Sequence, residues 1–156
     1  MDIYKTPDAN TQKPQRQLKP INAIAYGLLV SIVLTLIVSF VEGIVFGIII
    51  AITQGVEYIT EDFMARNAVF LFIDLLVTSA CLFYAGKITG RYAPQQELKF
   101  GLIVAGITLV IYWLIYSFLG SDKVNYPIWY EIASFAVIFI AILLGAKSVK
   151  SAENQQ

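Results

Sequence analysis

Two acidic residues lie inside long apolar stretches of this sequence, and their side chains are the ones best suited to chemistry. Glu42 and Asp74 have no lysine or arginine within the same apolar stretch. An ionised acid at the centre of a membrane-spanning helix costs about 2.5–3.5 kcal/mol, so it needs a reason to be there. Two carboxyl groups brought together away from water would share a proton or hold a cation.

Few other residues of this chain are suited to catalysis. The 156 residues include no histidine and one cysteine, which excludes histidine acid–base chemistry, clustered cysteine and histidine metal sites and an intrachain disulfide. No glycine-rich phosphate loop, zinc-protease helix or nucleophile elbow occurs. We therefore expect no catalytic residue, cofactor, metal site or nucleic-acid partner, and a protein that is not an enzyme.

Polar residues accompany Asp74 along its apolar stretch. Asn67, Asp74, Thr78 and Cys81 are separated by seven, four and three residues, which places them on one stripe of a helix. Such a stripe points away from lipid. Two hypotheses remain open for this stripe and Glu42. Asp74, Glu42 and Thr78 form a proton or cation site, or Asp74 makes a structural hydrogen bond to a Thr, Ser or Tyr on a neighbouring helix.

The elements that position these acids must be strongly apolar. Of the residues, 58% are apolar and 14% are charged, against about 45–50% and 25% in soluble proteins. The apolar runs cover residues 21–53, 67–86, 98–119 and 128–146. About 20 apolar residues cross the hydrocarbon core of a bilayer as a helix. The sequence predicts an all-α integral membrane four-helix bundle. It assigns 1–19 to a disordered basic leader, 20–150 to the transmembrane domain and 151–156 to a short tail.

The orientation of the bundle follows from its basic residues. Nine of the 11 Lys and Arg residues lie in the leader, after the second run or in the tail, and only Arg66 and Lys123 lie on the opposite side. Basic residues concentrate on the cytoplasmic side of membrane proteins. Both termini are therefore predicted to be cytoplasmic. Between the first two runs, Thr60 followed by Glu61 and Asp62 predicts a capped helix start outside the bilayer, continuing through Arg66 into the second span.

A ladder of small residues recurs at every fourth position of the first run. Its members are Ala23, Gly27, Ser31, Thr35, Ser39, Gly43, Gly47 and Ala51. Small residues let helix backbones approach closely in lipid, so we predict a packing surface with its closest approach at Gly43 and Gly47. This surface would contact a second copy or a membrane partner subunit, or it would make the first span the central helix of the bundle.

Two functions fit these features. The first is a non-enzymatic accessory or assembly subunit in the lipid bilayer that packs through the ladder. The alternative is an oligomeric proton- or cation-coupled transporter or channel that uses Asp74 and Glu42. The sequence begins Met-Asp-Ile-Tyr-Lys-Thr-Pro-Asp-Ala and continues into four apolar runs. This start resembles that of small multi-pass proteins of the bacterial inner membrane, and the resemblance implies that location without implying an activity.

The predicted orientation is testable with reporter fusions. A reporter that is active only in the cytoplasm should be active when fused after Gln156 or inserted between Lys87 and Lys99, because these segments carry the excess of basic residues. The same reporter inserted between Arg66 and Asn67 should be inactive. An external signal from the fusion after Gln156 would contradict the four-span orientation.

Overall fold

A computed structural model describes residues 20–119 and 126–153, and all of the elements in these ranges are helical. The helices are α1 (Pro20–Thr53), α2 (Glu61–Arg66), α3 (Ala68–Tyr92), α4 (Glu97–Leu119) and α5 (Ile128–Glu153), with a short 3-10 helix at Val56–Tyr58. The predicted leader and the last residues of the predicted tail lie outside the described residues. The predicted all-helical architecture is confirmed.

Four of the helices, α1, α3, α4 and α5, are long and apolar enough to cross a membrane. Each coincides with one of the four apolar runs, and α3 and α5 continue past the predicted ends of those runs. A continuous helix satisfies its backbone hydrogen bonds internally, which is why uninterrupted apolar sequence takes this form. Helix α1 ends where Gly55 adopts a φ of +116°, and the Gly55 N–H donates to the Ile50 carbonyl at 3.2 Å.

The connection between α1 and α3 contains a helix break at Asn67. Thr60 caps α2 by accepting a hydrogen bond from the Phe63 N–H at 3.2 Å, which confirms the predicted helix start. The prediction that this helix continues through Arg66 into the second span is wrong. The Asn67 side chain instead caps α3, accepting from two backbone N–H groups of its first turn at 3.0 and 3.2 Å. Because Asn67 satisfies these N–H groups, α3 begins as a separate helix.

Helix α3 contacts each of the other three long helices, and its interfaces with α5 and α1 are the two most extensive in the bundle. The main contacts of α1 are with α3 and α4, so the interpretation of the first span as the central helix is wrong. The physical reason lies in α3 itself, which carries two adjacent rows of buried small residues. Ala85 and Thr89 form one row, and Gly86 and Gly90 form the other, so two helices can approach α3 closely at once.

Helices α3 and α5 run parallel and meet backbone to backbone. A Cβ atom added to Gly86 would collide with the carbonyl oxygen of Ile142, and one added to Gly90 would lie 2.8 Å from that of Ala146. From the other side, Gly145 packs against the backbone of α3 in the same way. We call this region the tight end of the bundle. The difference in residue number between the two partners, which we call the residue offset, is the same for Gly86 and Ile142 as for Gly90 and Ala146. The two helices therefore stay in register.

Helix α1 packs antiparallel to α3 in a fixed register. At the tight end, Gly27 lies against Thr89, leaving no room for a Cβ atom. Further along, the rings of Phe46 and Phe70 meet edge to face with their centroids 4.7 Å apart. The number of residues from Gly27 to Phe46 along α1 equals the number from Phe70 to Thr89 along α3. The contact at Gly27 therefore extends as one regular interface to the other end of the bundle.

Helix α1 also runs parallel to α4. A Cβ atom added to Gly27 would lie 3.2 Å from Val104, and one turn later the hydroxyls of Ser31 and Thr108 are 3.4 Å apart. Both hydroxyl residues are fully buried. Helix α5 completes the bundle by packing against both α3 and α4. The core between α3, α4 and α5 is built from Leu82, Val104, Ala105, Ile138, Ala141 and Ile142.

The backbone contact at the tight end predicts that added volume there is destabilising. Gly86→Ala and Gly145→Ala should each lower the stability of the bundle by about 1–3 kcal/mol, because a backbone carbonyl cannot rotate away from the new methyl group as a side chain can. Thermal melting in detergent or nanodiscs measures the effect. Gly106→Ala is the matched control, since a Cβ atom at Gly106 meets nothing within 4 Å. Equal melting of all three variants would contradict the close approach.

Candidate functional site

The buried stripe of α1 includes Glu42. The ladder residues Ala23, Gly27, Ser31 and Thr35 are buried, but Ser39 is exposed and Gly43 and Gly47 are partly exposed. A step of four residues turns a helix by about 400°, so a four-residue ladder drifts about 40° per step and leaves the interface. Glu42 and Ile50 take up the buried positions instead. Glu42 is 9% exposed, and its Oε1 atom has no hydrogen-bond partner among the described residues.

The second acid, Asp74, is partly buried and is held by a neighbouring helix. The hydroxyl of Tyr130 on α5 donates a hydrogen bond to the Asp74 Oδ2 atom. This pair has the same residue offset as the contacts at the tight end, so it continues the parallel register of α3 and α5. Tyr130 is itself fixed by packing, because its ring stacks on Tyr126 with the centroids 5.3 Å apart. One hypothesis from the sequence was that Asp74 makes a structural hydrogen bond to a Thr, Ser or Tyr on a neighbouring helix, and the bond to Tyr130 is of this kind.

The antiparallel register of α1 and α3 brings the two acids to face each other. Phe46 lies one helical turn beyond Glu42, and its partner Phe70 lies one turn before Asp74. Glu42 and Asp74 are accordingly close enough for their charges to interact. We call this half of the bundle the acid end.

A row of hydroxyl groups leads from the acids toward the tight end. The Tyr112 hydroxyl on α4 interacts with the Thr35 side chain and with the charge of Asp74. Thr35 donates to the Ser31 carbonyl at 2.5 Å, and Ser31 adjoins Thr108. Polar side chains of α1 and α4 thus continue from the acid pair toward the tight end.

The remaining residues of the predicted polar stripe have different environments. Thr78 is partly buried one turn from Asp74, and Cys81 is a buried free thiol that interacts with the charge of Glu42. Asn67 serves as the cap of α3. The sequence did not identify Tyr130 as the partner of Asp74. Its position is typical of aromatic residues at a membrane interface, and only the fold shows that it meets this acid.

Among residues 20–119 and 126–153, no group of three or more His, Cys, Asp or Glu side chains is arranged to hold a metal ion. The acid end offers two carboxyl groups and a tyrosine, which can exchange protons or hold a hydrogen bond.

The small-residue ladder is used inside the chain over its first half only. In contrast to Gly27, a Cβ atom on Gly43 would meet nothing within 4 Å, and one on Gly47 would find Ile59 at 3.9 Å. Within the chain, the closest approach of α1 is therefore at Gly27 rather than at the predicted Gly43 and Gly47. Ala51 is partly buried near the end of the helix.

Comparisons with known protein families, characterised proteins and solved structures give no match for this chain.

The Tyr130–Asp74 hydrogen bond predicts a specific pattern of stabilities. Tyr130→Phe and Asp74→Leu should each cost about 1–2 kcal/mol, because each leaves the other polar group without its partner. Asp74→Asn should cost less, since the amide oxygen still accepts from Tyr130. Combining Tyr130→Phe with Asp74→Leu should cost less than the sum of the two single changes, because neither polar group then remains.

Thermal melting of the four variants measures this coupling. Tyr84→Phe is the control, since Tyr84 is an exposed tyrosine of α3 and its replacement should leave the melting temperature unchanged. Strictly additive costs for Tyr130→Phe and Asp74→Leu would show that the two side chains do not stabilise each other.

Proposed function

We propose that this chain is a non-enzymatic multi-pass membrane protein that acts by associating with another membrane-spanning chain. Four helices long and apolar enough to cross a bilayer support membrane insertion. The distribution of Lys and Arg supports cytoplasmic termini, and the start of the sequence favours the bacterial inner membrane. The acid end then lies in the outer half of the bilayer and the tight end in the inner half.

One observation carries the proposal of association. Ser39, Gly43 and Gly47 form a stripe of small residues along α1 on which the described chain makes only one contact, that of Ile59 near Gly47, and we call this stripe the uncovered glycine face. Helices in lipid gain little from hydrophobic burial, and they associate where small residues allow close van der Waals contact. At the tight end, the chain uses glycine in this way to join α3 and α5. On the uncovered glycine face, no helix of the described chain packs against the small residues in this way.

We assign a second copy of this chain as the occupant of the face. Every copy inserts with the same orientation, so two copies can cross at the same stripe about a twofold axis along the membrane normal. A four-residue repeat favours the right-handed crossing seen in helix dimers built on two glycines four residues apart. The stripe is self-complementary in such a crossing, because each backbone fills the space left by the glycines of the other.

Disulfide crosslinking in native membranes tests this assignment. In a Cys81→Ala background, Ser39→Cys should give an oxidised dimer, since Ser39 lies on the uncovered glycine face. Adding Gly43→Leu or Gly47→Leu should reduce the dimer several-fold by holding the two helices apart. Gly43→Leu should keep the melting temperature of the parent monomer, because the added side chain meets open space among the described residues. Gly47→Leu should change the melting temperature little, because the nearest neighbour of an added Cβ atom is the Ile59 side chain at 3.9 Å.

Two controls separate association from general effects of added bulk. Gly106→Leu places the same side chain at an uncovered glycine of α4, and Ile49→Leu changes an exposed position of α1 away from the face. Neither should alter crosslinking. Equal crosslinking of all variants would contradict the proposal, and a crosslink to a different membrane protein in place of the dimer would contradict the second copy as occupant.

The acid end favours a second candidate function, an oligomeric proton- or cation-coupled transporter or channel. The specific observation is the placement of Glu42 and Asp74 on facing turns, with one carboxyl oxygen unsatisfied. Acids in the interior of membrane proteins commonly belong to ion or proton pathways. Four helices enclose little space, so association of copies would also serve this function.

A further inference from the structure

The acid end contains a carboxyl oxygen that the rest of the described structure does not satisfy. Glu42 is buried, and its Oε1 atom has no hydrogen-bond partner there. The facing carboxyl group has one oxygen in use, since Asp74 Oδ2 accepts from Tyr130. Leaving a buried polar group unsatisfied is unfavourable, and it is more so for a charged group. The geometry therefore leaves a place between the two acids for a positive charge or a hydrogen bond.

We infer that Glu42 and Asp74 form one binding site whose ligand is a single proton. With the proton on Glu42, its carboxyl group donates to the Asp74 oxygen that Tyr130 does not use. The two acids then carry one negative charge between them, and Tyr130 stabilises that charge by donating to Asp74. This inference rests on the acid pair of the second candidate function and names its ligand.

Among the described residues, the groups around the site include no competing cation. The described titratable side chains that interact with the two acids are Cys81 of α3, Tyr112 of α4 and Tyr130 of α5, and none of them is basic. The segments packed on the ends of α1 and α3 contribute Glu57 and Arg66, and both are exposed. None of these described side chains therefore supplies a positive charge between the two acids.

A proton fits the available oxygen atoms better than a metal cation does. Calcium takes six to eight oxygen ligands and magnesium takes six, and sodium sites in transporters commonly use carbonyls of unwound helices. Helices α1 and α3 are unbroken at Glu42 and Asp74, so their backbone carbonyls remain in helical hydrogen bonds. Among the described residues, the oxygen-bearing groups at the site are the two carboxyl groups, the Tyr130 hydroxyl, which already donates to Asp74, and the Tyr112 hydroxyl, which interacts with Thr35. A proton needs two oxygen atoms, and the site provides them.

Infrared spectroscopy of the full-length protein in lipid detects this proton directly. At neutral pH the wild-type protein should show the carbonyl stretch of a protonated carboxylic acid, and the band should shift in D2O. Glu42→Gln should abolish the band. Asp74→Asn should shift its frequency, because the acceptor of the Glu42 hydrogen bond changes from a carboxylate to an amide. The matched control is Glu97→Gln, since Glu97 is also buried but accepts a hydrogen bond from the Gln95 N–H at 2.8 Å.

Three results would overturn the inference. They are the absence of the band in the wild-type protein, a band that persists in Glu42→Gln, and loss of the band on adding sodium or lithium chloride but not choline chloride. The third result would identify a metal cation as the occupant. The band reports proton binding whether or not the protein moves protons. Its absence therefore contradicts the acid site, whereas absence of flux in proteoliposomes contradicts only the transporter candidate.

Discussion

The backbone contact between α3 and α5 is the interaction on which the rest of the bundle depends. In lipid, which we propose as the environment of this chain, apolar side chains gain little by leaving the solvent, so close packing must hold helices together. Gly86 and Gly145 allow that packing and fix the register of two parallel helices. The register in turn places Tyr130 beside Asp74. A contact at the tight end thus determines which side chains meet at the acid end.

The same reasoning connects α1 to the site. Thr89 adjoins the glycine row of α3 and packs on Gly27, which sets the antiparallel register of α1. That register carries Glu42 to the level of Asp74. The burial of Glu42 opposes the usual preference of an acid for water, and local conflicts of this kind occur mainly where a protein has a function to perform. The contacts of α3 with α5 and with Gly27 of α1 therefore set the geometry of the acid pair, and they hold Glu42 in its unfavourable buried position.

Much of this architecture could be predicted from the sequence, because hydropathy and helix caps are local properties. The four apolar runs predicted four long helices, and Thr60 predicted the start of α2. The sequence also singled out Glu42 and Asp74 as the acids inside its long apolar stretches. The identity of the central helix could not be predicted in the same way, because it depends on how each helix is rotated about its axis. The signal for the central helix was the pair Gly86 and Gly90, which are four residues apart in α3. This pattern is shorter than the ladder of α1.

The contacts that join α3 and α5 differ in kind at the two ends of the pair. At the tight end, backbone meets backbone, whereas at the acid end a single side-chain hydrogen bond joins Tyr130 to Asp74. These contacts lie about 18 Å apart along the helices, from Asp74 to Gly86. The contact at the acid end can break when one side chain rotates, whereas the backbone contact at the tight end cannot break in this way. Loss of the Tyr130–Asp74 hydrogen bond therefore removes a contact at the acid end and leaves in place the backbone contact at the tight end, together with the register that it fixes.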